Sequence, residues 1–106
     1  MVVWFDFVQI CDGPRSKADY IELANIYRTV MISNIPLLTW EYENQARRFI
    51  ELVDEFYDHG VHLFATAAAG IDSLYTGKRL VREFQRTSSR LHEMQTDRYL
   101  SCTHCG

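Results

Sequence analysis

The stretch TVMISNIPLLTWEYENQARRFIELVDEFYDHGVHLFATA, residues 29–67, decides the fold. Its first five residues, Thr29 to Ser33, form a short, nearly continuous apolar run. Such runs suit a strand covered on both faces, as in parallel sheets. Asn34 to Pro36 break it. Ala46, Phe49, Ile50, Val53, Phe56 and Tyr57 then recur at helical spacing, with Arg47, Glu51, Asp54 and Asp58 on the flank. Glu43 precedes Arg47 by four residues, the favoured order for an ion pair along a helix. His59 falls in the last turn, and Gly60 is the natural residue to follow it in a left-handed conformation. Residues 61–68, VHLFATAA, read as a further strand. The whole stretch is a β-α-β unit.

Outward from it, the pattern continues on both sides. Residues 2–10, VVWFDFVQI, are β-branched and aromatic, with Asp6 and Gln9 as polar breaks, and read as a first strand. Asp12-Gly13-Pro14 makes a turn. Ser16 and Asp19 then stand at N-cap and N3 spacing, and Tyr20, Leu23, Ala24 and Tyr27 lay one apolar stripe along a helix. After the third strand, the small residues 67–70 lead to a turn at Asp72–Tyr75 and a break at Gly77. Residues 80–84 read as extended, and 85–97 as a helix with Leu91 and Met94 inward. The order β-α-β-α-β-α predicts an α/β fold: a small parallel sheet with flanking helices and right-handed crossovers. Three strands leave two sheet edges, as expected for part of a larger fold.

At 106 residues the chain holds one domain, and its 47% hydrophobic and 24% charged content is ordinary for a globular protein. No apolar run approaches the roughly 20 residues of a membrane span. The N-terminus lacks the basic start of a secretory signal and carries Asp6 within its apolar run, which points to the cytoplasm. The net charge of -3 is unevenly spread. Residues 78–98 hold six basic residues against three acidic, leaving +3, and the remainder has five basic against eleven acidic, leaving -6. The basic segment either faces an anionic partner or is a solvated helix face. Net acidity, and the lack of aromatic residues interleaved with basic ones, speak against a nucleic-acid partner.

The sequence contains no phosphate-binding loop. Gly70 to Arg79 imitates one, but a P-loop has four residues between its glycine and the Gly-Lys pair, followed by a hydroxyl residue. Here six residues separate Gly70 from Gly77-Lys78, and Arg79 stands in place of the hydroxyl. The chain alone is thus expected to bind no ATP. Cys102-Thr-His-Cys105 can supply two thiolates to a metal, yet no second pair accompanies it, and three cysteines without a signal segment argue against a disulfide framework. No metal site is expected. Asp6 and Asp54 are single carboxylates to which the spacing assigns no partner, and His62 reads as a packed strand residue. Arg82, Arg86 and Arg90 step by four, so they share one helix face. Either a ligand phosphate or acidic neighbour offsets their repulsion, or Glu93 and Asp97 balance them along the same helix. Arg47-Arg48 repeats the question, with Glu43 and Glu51 both in reach of Arg47.

The segments SKADYIELANIYRTVMISNIPLL (16–38), ENQARRFIELVDEFYDHGVHLFATAA (43–68) and EFQRTSSRLHEMQTDRYL (83–100) resemble the C-terminal part of the ZapE-like ATPases, bacterial and mitochondrial. That family's run is similar to "ADYL-x-LA", a strand ending in "VP", "ARRFI-x-LID-x-LY", a "V-x-L-x-x-SA" strand and "F-x-RT-x-SRL-x-EMQ-x-x-YL". The features stand here as Ala18 to Ile21, Ile35-Pro36, Ala46 to Asp54, Val61 to Ala67 and Phe84 to Leu100, in the same order over residues 5–100. The resemblance implies that residues 1–100 are the C-terminal α/β portion of a P-loop ATPase related to the AAA machines, with a tail at 101–106 that departs from the pattern. It implies that the Walker A and Walker B segments lie upstream, and that the parent protein uses ATP and Mg²⁺. Its implied partners are that missing N-terminal ATPase segment, a protein of the bacterial division ring and further copies of itself. A eukaryotic member would be mitochondrial. Arg47, Arg48, Arg86 and Arg90 match the family pattern, which makes them the candidates for contact with nucleotide or a neighbouring subunit. The competing expectation is a non-catalytic interaction module that uses the basic 78–98 segment.

Overall fold

The computed structural model describes residues 2–13 and 15–95. Its frame is a three-stranded sheet in the order β1-β2-β3, parallel throughout. The strands are β1 (Val2–Asp6), β2 (Thr29–Ile35) and β3 (His62–Ala67). The helices are α1 (Phe7–Cys11), α2 (Lys17–Ile26), α3 (Glu43–Asp58) and α4 (Val81–Glu93). Short 3-10 turns at Trp40–Tyr42 and Ile71–Ser73 complete the connections. The expected small parallel sheet with flanking helices is what the chain forms.

Two expected elements take a different shape. The strand read at 2–10 ends at Asp6, and the chain turns directly into α1. The two polar breaks are the reason. The Asp6 carboxylate accepts from the Val8 amide, and the Gln9 side chain accepts the Asp6 amide at 2.8 Å, a capping box. Residues 80–84, expected to be extended, are instead the start of α4. Leu80, Phe84, Thr87 and Met94 are all buried, with Leu91 packed against the core beside them, so one helical stripe runs the length of the segment.

The remaining starts and stops follow local chemistry. The Ser16 amide donates to the Asp19 carboxylate at 2.8 Å at the head of α2. Gly60 follows α3 with φ of +69°, a conformation glycine adopts without strain. Tyr20 and Ala24 of α2 are buried, with Leu23 and Tyr27 packed alongside. From α3, Ala46, Phe49, Ile50, Leu52, Val53 and Phe56 enter the core. The Phe49 ring lies 6.3 Å from Phe7 on one side and 6.3 Å from Phe84 on the other. Aromatic pairs at this separation add about 0.5–1.5 kcal/mol each beyond burial.

Side-chain alternation shows where the helices sit. Val30, Ile32 and Ile35 of β2 are buried, and Val3, Phe5 and Leu63 pack against the same core. Their neighbours Val2, Trp4, Met31 and Phe64 point the other way and are exposed. Among the described residues, all four helices therefore cover one face of the sheet.

Candidate functional site

Of the four arginines singled out by sequence, two meet. Arg86 and Arg90 lie one turn apart on α4, and both reach Asp54 on α3. The Arg86 Nη2 stands 3.4 Å from one carboxylate oxygen, and the Arg90 Nη1 bonds the other. The Arg90 guanidinium also stands over the Tyr57 ring, and the Tyr57 hydroxyl donates to Glu93. That bond to Glu93 holds the Tyr57 phenol above its usual pKa, because the carboxylate favours the protonated hydroxyl. The repulsion along the arginine face is thus offset chiefly from the neighbouring helix. Asp54 has two partners where the sequence assigned none, and Glu93 is engaged by Tyr57. Asp97 lies outside the described residues.

The two arginines differ in what is left over. The Arg90 side chain is 24% exposed and held on two sides, whereas Arg86 is 61% exposed and makes the longer contact. Arg86 therefore retains donors that face solvent.

Arg47 and Arg48 do not join this group. Arg48 is half-buried on another side of α3, where its Nη1 lies 3.5 Å from the Asn44 carbonyl and its charge acts on Cys11 and Tyr20. Arg47 is exposed and precedes Asp54 by seven residues, two turns up the same stripe. The expected Glu43–Arg47 pair is replaced. The Glu43 carboxylate accepts from the Tyr75 hydroxyl at 2.7 Å and from the Arg79 amide at 3.1 Å. Arg47 has no ion-pair partner among the described residues.

The same Glu43 packs against the Gly70–Arg79 segment. A side chain on Gly77 would strike the Glu43 carboxylate and the Tyr75 hydroxyl. The Tyr75 hydroxyl in turn accepts the Leu80 amide at 2.8 Å and its ring stacks on Phe84. The Glu43 carboxylate and the Tyr75 hydroxyl thus pin the turn from Tyr75 to Leu80.

A second polar group sits at the C-terminal ends of the strands, where open parallel sheets present their ligand-binding edge. Asp6 Oδ1 accepts from the Asn34 side-chain amide at 2.7 Å and from Ser33 Oγ at 3.5 Å. The Asn34 amide donates to Thr66 Oγ1 at 3.0 Å, and Asn34 itself has φ of +61°. Asparagine tolerates this left-handed turn better than most residues. The sequence signal was the Asn34-Ile35-Pro36 break, which reads as an ending and gives no sign of the cross-strand contact to Asp6.

Among the described residues no three His, Cys, Asp or Glu side chains gather as metal ligands, and Cys102 and Cys105 lie outside them. Among the described residues no helix is long and apolar enough to cross a membrane.

The family model of the AFG1-like ATPases matches residues 1–103. The chain belongs to that family. It is 46% identical over 98 residues to the cell division protein ZapE of Escherichia coli K12, an alignment that covers 92% of this chain and 26% of that protein. It is 33% identical to lactation elevated protein 1 homolog B of Danio rerio, over 88% of this chain and 25% of that protein. The chain thus spans about a quarter of the length of these AFG1-like relatives. No solved structure matches it. The ZapE-like resemblance carried by residues 5–100 holds along nearly the whole chain.

Proposed function

We propose that this chain contributes the C-terminal α/β portion of an ATP hydrolase that couples hydrolysis to work on a protein assembly. The observation that carries the reading is a mismatch of length and content. The chain belongs to an ATPase family, covers 26% of ZapE, and contains no G-x4-G-K-[ST] sequence. The Walker A lysine and the Mg²⁺ ligands then come from an upstream segment, which is the first partner of this portion. ZapE is a cell division protein, and a bacterial protein of this kind acts in the same process, with a component of the division ring as its partner. Its place is the cytoplasm, or the mitochondrion in a eukaryote, and it works as a homo-oligomer.

Within this portion, Arg86 and Arg47 are the residues we assign to nucleotide or a neighbouring subunit. Both are exposed on α4 and α3, and arginine suits planar contact with phosphate oxygens. Arg90 positions Arg86 by sharing Asp54, and Arg48 serves packing near Cys11 and Tyr20. The test is ATP turnover by a chain extended to the length of its relatives. Arg86→Ala or Arg47→Ala lowers kcat by tenfold or more, of the order seen when a positioned arginine is lost, with the melting temperature held. Unchanged turnover in both variants contradicts the assignment.

A second reading has one observation in its favour. Lys78, Arg79 and Arg82 are exposed, and their side chains have no ion-pair partner among the described residues. A non-catalytic module that docks an acidic protein surface through these cations binds its partner in a salt-sensitive way without nucleotide.

A further inference from the structure

Among the described residues, one face of the sheet is left uncovered and carries a continuous apolar row. Strand register places Trp4, Met31 and Phe64 side by side across all three strands. They are 69%, 43% and 55% exposed, and Val2, at 60%, extends the row along β1. Asp6, Ser33, Asn34 and Thr66 rim it at the C-terminal ends of the strands. Scattered apolar residues need no explanation, but a row aligned across a sheet and bordered by polar groups marks a contact surface. The backbone argument points the same way. All-parallel sheets occur almost only with both faces covered, and here the helices cover one.

From this we infer that the Trp4–Met31–Phe64 face is packed against the remainder of the same ATPase polypeptide, beyond the segment described. The argument for this occupant is length: about three quarters of each curated relative lies outside the aligned part. A doubly covered parallel sheet needs a layer on this face, and that remainder is attached in cis at high effective concentration. The inference rests on the reading of this chain as one portion of a longer ATPase.

The experiment is site-resolved maleimide labelling of Phe64→Cys, and separately of Trp4→Cys on the opposite edge strand. Each is followed by peptide mass spectrometry in the 106-residue chain and in a chain extended to the length of its relatives. Rates are normalised to those in urea. Both positions are exposed, so truncation removes little packing, and two variants guard against one that misfolds. The expected result is at least about tenfold slower labelling in the extended chain, independent of protein concentration. Equal rates in the two chains overturn the inference, and so does protection that vanishes on dilution, which assigns the face to a second copy. ATP turnover of the same extended chain separates the two claims. Turnover with unprotected labelling removes the docked face and leaves the ATPase reading standing. Protection without turnover does the reverse.

Discussion

The guanidinium of Arg90 lies 5.0 Å from the centroid of the Tyr57 ring while its Nη1 holds the Asp54 carboxylate. A cation over a ring contributes about 0.5–1 kcal/mol where solvent reaches it, and a charge-assisted hydrogen bond about 1.5–3 kcal/mol. Arg90→Ala therefore destabilises the chain by roughly 1–3 kcal/mol, since Arg86 still partly compensates Asp54. Arg86→Ala costs under about 1 kcal/mol, as exposed ion pairs do. Urea melts of the two variants check the order. Equal losses would mean that the two arginines share Asp54 evenly.

Cys11 is fully buried beneath Tyr20, and burial pushes its thiol pKa from 9.0 to about 12. The Tyr20 hydroxyl, raised likewise by burial, donates to the Ile10 carbonyl at 2.8 Å. The folded state thus keeps the Cys11 proton that the unfolded chain releases near pH 9. Its contribution to stability is complete below pH 9 and declines as pH rises toward 12. Two outcomes follow: Cys11 resists alkylation at pH 8 in the native state, and the urea midpoint falls above pH 9 by less in Cys11→Ala. Rapid native alkylation mapped to Cys11 contradicts the burial. Tyr20→Phe leaves the Ile10 carbonyl unsatisfied and costs about 1–3 kcal/mol.

Gly77 is required for a steric reason. Gly77→Ala drives the Glu43 carboxylate away from the Tyr75 hydroxyl and the Arg79 amide. The Glu43 carboxylate ends a side chain that can swing aside, whereas the Tyr75 ring is held by its stack on Phe84, so the loss is at least that of the Glu43 hydrogen bonds, about 1–3 kcal/mol. Tyr75→Phe removes the acceptor of the Leu80 amide as well, so it loosens the entry to α4. Hydrogen exchange of the Arg79 and Leu80 amides reads both changes directly. Protection unchanged in Gly77→Ala would show that the loop does not depend on Glu43.

Phe49 is the keystone of the core, between Phe7 and Phe84. Phe49→Ala costs about 3–5 kcal/mol, a large part of the roughly 5–15 kcal/mol available to a domain. A calorimetric scan of the variant shows a broadened or missing transition. A melt like that of the parent chain would place Phe49 outside the core.

Phe49 was legible because α3 repeats its apolar positions from Ala46 to Tyr57 over about three turns. The ends of elements were harder. Val2 to Ile10 is apolar enough for a strand throughout, and a continuous apolar run does not separate strand from helix. Asp6 and Gln9 carried the answer as a capping box, and read as breaks they gave none. Residues 80–84 read as extended, while the stripe from Leu80 through Phe84 to Thr87 becomes regular only once buried Thr87 is counted as a core position. The candidate site was half legible. Stepwise spacing put Arg86 and Arg90 on one face, but their partner Asp54 lies more than thirty residues away, and one sequence holds no sign of such a contact. Likewise Asp6 meets Asn34 only because β1 and β2 are neighbours.

The central claim is that this portion carries no complete ATP site and serves one supplied elsewhere in the same ATPase. Steady-state Mg-ATP turnover by the 106-residue chain, beside that of a chain extended to the length of its relatives, tests it most directly. The account predicts turnover by the extended chain and none above background by the 106 residues. Appreciable hydrolysis by the 106-residue chain alone would contradict it.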